Sequence, residues 1–137
     1  MVSFIKKTLL VLMVSMPFGI SNAEEYTGMV RISEIEIHSG FIEEYLEILN
    51  EEAEASVRLE PGVISIYPMY QIENPAEVRI LEIYASKEAY ESHLDTPHFK
   101  KYKTTTLEMV KSLKLIDMHA TDVDTMAKIF RKIPLAQ

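Results

Sequence analysis

The 137-residue chain contains no cysteine, so a disulfide framework, a thiol nucleophile and a lipid-attachment cysteine are all excluded. Cations are scarce as well. The 14 Lys and Arg stand against 21 Asp and Glu, a balance that disfavours binding to a phosphate backbone or an anionic membrane surface. No internal repeat, low-complexity stretch or long apolar run is present. The one conspicuous run, Thr8 to Met16, is too short to span a bilayer comfortably.

What is present is a composition of 47% apolar and 26% charged residues, enough for one compact domain with a core but not for two. The first 23 residues differ from the rest. Lys6 and Lys7 precede the apolar run, Pro17 and Gly19 break it, and Ser21-Asn22-Ala23 offers small residues before the acidic Glu24-Glu25. Residues 1–23 therefore read as a secretory signal peptide cleaved after Ala23, which predicts a soluble periplasmic or secreted protein with no membrane association after cleavage. Without Lys6 and Lys7 the chain has 21 acidic against 12 basic residues, a net charge of −9, and nucleic acid is not an expected partner. Residues 28–120 form the expected domain. Residues 121–137 are a tail, with a short helix expected over Thr125 to Lys132.

The spacing of apolar residues orders the elements. Val30 to Ile37 is rich in β-branched residues and reads as a strand. The change of parity between Val30/Ile32 and Ile35/Ile37 predicts a bulge near Ser33-Glu34. From Phe41 to Leu59 apolar residues recur at three and four (Ile42, Tyr45, Leu46, Leu49, Ala53, Val57), with Glu51, Glu52 and Glu54 assigned to the solvent side. Glu60-Pro61-Gly62 ends this helix, because proline cannot continue it and glycine accepts a turn conformation. Val63 to Ile72 contains Pro68, which places that strand at a sheet edge. Val78 to Tyr84 is its hairpin partner. Ser86 caps a helix from Lys87 to Asp95, Thr96-Pro97 opens a second one reaching Lys111, and Leu113 to Met118 is the last strand. The order β-α-β-β-α-β is the ferredoxin-like arrangement of an α+β fold. Both faces of Val78 to Tyr84 are mainly apolar while helices cover one face, so a homodimer through the second face is expected.

Four histidines are available, His38, His93, His98 and His119. His93 shares the inward face of its helix with Tyr90 and Leu94, and so points at the core or at a pocket. His98 opens the next helix, whose positive end disfavours a further positive charge and suits the ring to act as a base. Glu82 lies on one strand face with Ile80 and Tyr84 and needs a polar partner there, His93 or a tyrosine hydroxyl. A histidine on an apolar helix face equally fits a hydrogen-bonded core residue, and the residues alone leave both readings open. Two histidines and a carboxylate also raise a facial metal triad, but the His93-x4-His98 spacing across a Thr-Pro break is not compact, so no metal is expected. His38 and His119 read as surface or rim residues.

The ordered set Glu60-Pro61-Gly62, Glu82-Ile83-Tyr84, His93 and Pro97-His98-Phe99 resembles the antibiotic biosynthesis monooxygenase domain over about Gly28 to Ala120. The resemblance implies a dimeric α/β barrel in which two sheets pack together, with a pocket between each sheet and its own helices. It implies oxygenation of quinol-like or polyphenolic substrates by O₂ with no cofactor, a base forming the anion that reacts. On this basis His98, His93 and Glu82 are the expected catalytic groups, with Tyr102, Tyr84 and Phe99 around the substrate. Within that set His98 is the expected base, and His93 with Glu82 orients or stabilises. Tyr84 stands where many relatives carry tryptophan. The haem-degrading branch is disfavoured, since Lys100-Lys101-Tyr102-Lys103 supplies no axial histidine. A non-catalytic module that binds a small hydrophobic ligand is the alternative for the same fold.

Overall fold

A computed structural model of the chain describes residues 28–125 and Lys128. The expected signal peptide and most of the expected tail helix lie outside these residues. Among the described residues no helix is long and apolar enough to cross a membrane. The elements are β1 (Met29–Ile37), α1 (Ile42–Leu59), β2 (Val63–Tyr70), β3 (Glu77–Tyr84), α2 (Lys87–Leu94), α3 (Pro97–Thr105) and β4 (Val110–Met118), with one 3₁₀ turn at Ser39–Phe41 before α1. The four strands form one antiparallel sheet in the order β2-β3-β1-β4, open at both edges. This is the ferredoxin-like α+β fold. Pro68 sits in the edge strand β2, where its missing N–H breaks no ladder between neighbours.

The helices pack on one sheet face. Tyr45, Leu49 and Ala53 of α1 are buried against Ile35 and Ile37 of β1, Val63 and Ile66 of β2, and Val78 and Ile80 of β3. Burying a side chain such as Leu49 contributes roughly 2 kcal/mol, so this stripe is the main anchor of α1 to the sheet. Among the described residues nothing covers the opposite sheet face. Tyr67, Leu81, Ile32 and Ile116 stand in register across all four strands there, partly or fully exposed.

Several expectations are corrected. The bulge predicted near Ser33-Glu34 is absent, because β1 pairs with β3 in unbroken register from Met29 to Glu36. The parity change arises because Arg31 and Ser33 point toward the helices together with Ile35, as polar members of the covered face. Irregularities occur instead between Glu36 and Ile37 and between Val63 and Ser65. The second helix of the pair stops at Thr105 rather than reaching Lys111. Thr104 and Thr106 return their hydroxyls to the carbonyls of Lys100, Lys101 and Tyr102, which satisfies the last turn, and β4 begins at Val110. Gly62 has no positive φ. Its role is close approach: a Cβ there would lie 2.6 Å from the Cβ of Ala89, so glycine lets α2 pack onto the start of β2. Glu52, expected on the solvent side, is 5% exposed.

Candidate active site

Two chain breaks bring the chemistry together. Glu60 precedes Pro61, and the residue before a proline is driven out of the helical region; its φ of −108° and ψ of 107° turn the chain away from α1. The carboxylate thereby reaches both histidines. His93 Nδ1 donates to Glu60 Oε1 at 3.0 Å, and His98 Nε2 donates to the same oxygen at 2.5 Å. Thr96 fixes the spacing of the two rings. Its hydroxyl accepts from the Phe99 N–H at 3.3 Å, capping α3, and donates to the His93 carbonyl at 2.8 Å, tying α3 to the end of α2. Such a cap contributes about 1 kcal/mol to its helix.

A cavity of about 580 Å³ lies between the covered sheet face and the helices. Its apolar walls include Ile35, Ile66, Ile80, Leu94, Phe99 and Leu107. Most of the acidic and hydroxyl groups on its wall are held by a partner. Glu82 accepts from the Ser33 hydroxyl on one oxygen and from the Tyr84 hydroxyl at 2.8 Å on the other. Glu52 accepts from Ser56 at 2.6 Å and lies 3.6 Å from His93 Nε2, beyond hydrogen-bond range. Tyr102 and Tyr45 share a hydrogen bond at 2.7 Å. Arg31 lies over the Tyr90 ring at 4.7 Å and pairs with Asp117 at 2.8 Å. Among the described residues no buried side-chain N or O lacks a partner.

Burial sets the protonation of several of these groups. Desolvation pushes the Glu52 carboxyl above its usual range, although the Ser56 hydrogen bond opposes this. Desolvation, aided by the nearby carboxylates, raises the Tyr84 phenol far above its ordinary value and pushes Tyr102 up to about 12. Tyr45 is raised by its own burial and by Tyr102. Tyr45, Tyr84 and Tyr102 are therefore neutral at physiological pH, with hydroxyl protons to donate.

Of the residues singled out from the sequence, Glu82, Tyr84, His93, Phe99 and Tyr102 line this cavity. His98 does not. It stands behind His93, joined to it through Glu60, with its side chain 18% exposed. The contact expected between His93 and Glu82 is not formed: Glu82 is engaged by Ser33 and Tyr84, and the His93 partner is Glu60. His38 and His119 are exposed, as expected. Tyr90 lines the cavity beneath Arg31, whereas Tyr67 and Tyr70 are on the surface. Glu60, Glu52, Ser33 and Arg31 were not singled out. Glu52 had a readable signal, since Tyr45, Leu49, Glu52 and Ser56 recur at helical spacing on one face.

The sheet order and a pocket between sheet and helices define a ferredoxin-like domain with a cavity of small-molecule size, and comparison with known proteins makes this specific. The antibiotic biosynthesis monooxygenase family profile matches residues 29–105. A candidate antibiotic biosynthesis monooxygenase from Bacteroides thetaiotaomicron is 52% identical, with a TM-score of 0.69 over 70% of this chain and 91% of the other. A candidate monooxygenase from Lactobacillus acidophilus is 30% identical with a TM-score of 0.67, covering 69% of this chain and 45% of that longer protein. A third structure, from Nitrosomonas europaea, shares only the fold, at 18% identity and a TM-score of 0.67 over 72% of this chain and 95% of the other. No curated protein matches. The chain belongs to the antibiotic biosynthesis monooxygenase family, and its general function is monooxygenase-like.

Proposed function

We propose that the protein is a cofactor-independent monooxygenase of a quinol-like or polyphenolic small molecule, with His93 as the base. One observation carries this reading. Glu60 accepts a hydrogen bond from Nδ1–H of a histidine that is 2% exposed, so the Nε2 lone pair is left free on the side of Glu52 and the cavity. The cavity suits a flat aromatic ligand: its volume falls within the usual range of roughly 300–1,000 Å³ for small-molecule pockets, and Phe99, Tyr84 and Tyr90 offer ring surfaces. In this reading His93 Nε2 removes a phenolic proton, the electron-rich anion reduces O₂ directly, one oxygen atom enters the product and the other leaves as water. The substrate supplies all four electrons that this takes, as when a hydroquinone becomes a hydroxyquinone. The neutral Tyr102 hydroxyl donates to the developing oxyanion. Glu60 and His98 hold the His93 ring in one tautomer and orientation, which places His98 in a positioning role.

Oxygen uptake by purified, metal-free protein against a panel of hydroquinones and anthrones tests the reading. Uptake above the uncatalysed rate, abolished in His93→Gln, is expected. Binding of these compounds without any uptake would instead favour the ligand-binding module. We further propose a homodimer that covers the Tyr67, Leu81, Ile32 and Ile116 row, because an exposed apolar row spanning a whole sheet needs a partner. A monomeric mass by light scattering at micromolar concentration would refute it. Export with loss of residues 1–23 completes the proposal, and mass spectrometry of the protein from its host reads it directly.

A further inference from the structure

Glu60, His93 and His98 each offer one ligand atom, and these three atoms all lie within 4.8 Å of one another. From this convergence we infer a transition-metal site, for an ion of the Zn²⁺ class, behind the cavity wall rather than within it. The donor set is one carboxylate and two imidazoles, the mixture that borderline divalent ions prefer over hard cations such as Mg²⁺. The three donors come from three separate helix ends: the end of α1, the last turn of α2 and the first turn of α3. Their side chains are 13%, 3% and 18% exposed respectively, so the site is shielded but open on the His98 side. No lysine or arginine is bonded to Glu60, whose only side-chain partners among the described residues are the two rings.

The distances fit a loaded site after a small adjustment. Bonds of about 2.0–2.2 Å in a tetrahedron place ligand atoms roughly 3.4 Å apart. The present separations from Glu60 Oε1 are 3.0 Å to His93 Nδ1 and 2.5 Å to His98 Nε2, so these two pairs spread by less than about 1 Å, while the two ring nitrogens, within 4.8 Å of each other, close by at most about 1.4 Å. A ligating histidine usually gives its second ring N–H to a carboxylate, and Glu52 stands 3.6 Å from His93 Nε2, beyond hydrogen-bond range but able to accept after a small approach. That arrangement has a consequence that rests on the proposed role of His93: an ion on Nδ1 moves the ring proton to Nε2, and the free lone pair at the cavity is lost. The loaded protein would be the resting form.

Isothermal titration of ZnCl₂ into the metal-stripped full chain tests the site without reference to turnover. One ion per chain is expected, with His98→Ala and Glu60→Gln each weakening binding at least tenfold and His38→Ala and His119→Ala leaving it unchanged. Circular dichroism confirms that each variant is folded, and His98→Gln replaces any that is not. Absence of stoichiometric binding to the wild-type chain, or binding that survives both His98→Ala and Glu60→Gln undiminished, would overturn the inference. Inhibition of oxygen uptake by Zn²⁺ in wild type but not in His98→Ala bears on the tautomer argument alone.

Discussion

Glu60→Ala removes a single acceptor that two imidazoles share, and its cost follows from where those rings lie. His93 is 2% exposed, so its Nδ1–H, now bonded at 3.0 Å, finds no water when Glu60 is gone. An unsatisfied buried donor costs about 1–3 kcal/mol. His98, with its side chain 18% exposed, recovers part of its hydrogen bonding from solvent and adds less. A loss of about 2 kcal/mol is expected, which for a domain of this size lowers the thermal midpoint by roughly 8–16 °C. Glu60→Gln keeps an oxygen at the same place and should cost less than about 1 kcal/mol. Urea denaturation followed by circular dichroism gives both values, provided the slope with denaturant is unchanged. If Glu60→Ala lies within about 0.5 kcal/mol of wild type, the two rings do not depend on this carboxylate, and the account of how His93 is oriented fails.

The raised Glu52 carboxyl holds its proton in the folded chain to a higher pH than in the unfolded chain, so its contribution to stability is full below the ordinary carboxylate range and falls as pH rises through it. Glu52→Gln should therefore be more stable than wild type at pH 7–8 in thermal melts, with the difference closing toward pH 4; a constant difference across pH would refute the assignment. Gly62→Ala forces a 2.6 Å contact with Ala89, and overpacking of this kind costs about 1–3 kcal/mol. Adding Ala89→Gly should recover part of that loss, and additive single effects would show that the two residues do not meet. In oxygen-uptake assays His93→Gln should lower kcat by about 10²–10⁴-fold, the usual range for losing a general base. His98→Gln should lower it less, and equal losses in the two variants would reopen the choice between them.

Much of the fold is written locally. The three-and-four spacing along Ile42–Leu59, the punctuation of Glu60-Pro61-Gly62 and Thr96-Pro97, and Pro68 in an edge strand are all read from neighbours in the chain, because helix periodicity, caps and the missing proline N–H act over a few residues. Element boundaries were less readable: α3 ends at Thr105 because threonine hydroxyls bond back to carbonyls, a competition that apolar spacing does not register. The site divides in the same way. Tyr84, His93, Phe99, Tyr102 and Glu82 carry residue types and positions that mark them in the sequence. Which carboxylate serves which ring does not show there. Glu60 and His93 are 33 residues apart, and Ser33 and Glu82 are 49 apart. Their pairing is decided by the β1–β3 register and by the angle at which α1 hands the chain to β2, and both exist only once the sheet and helices have packed.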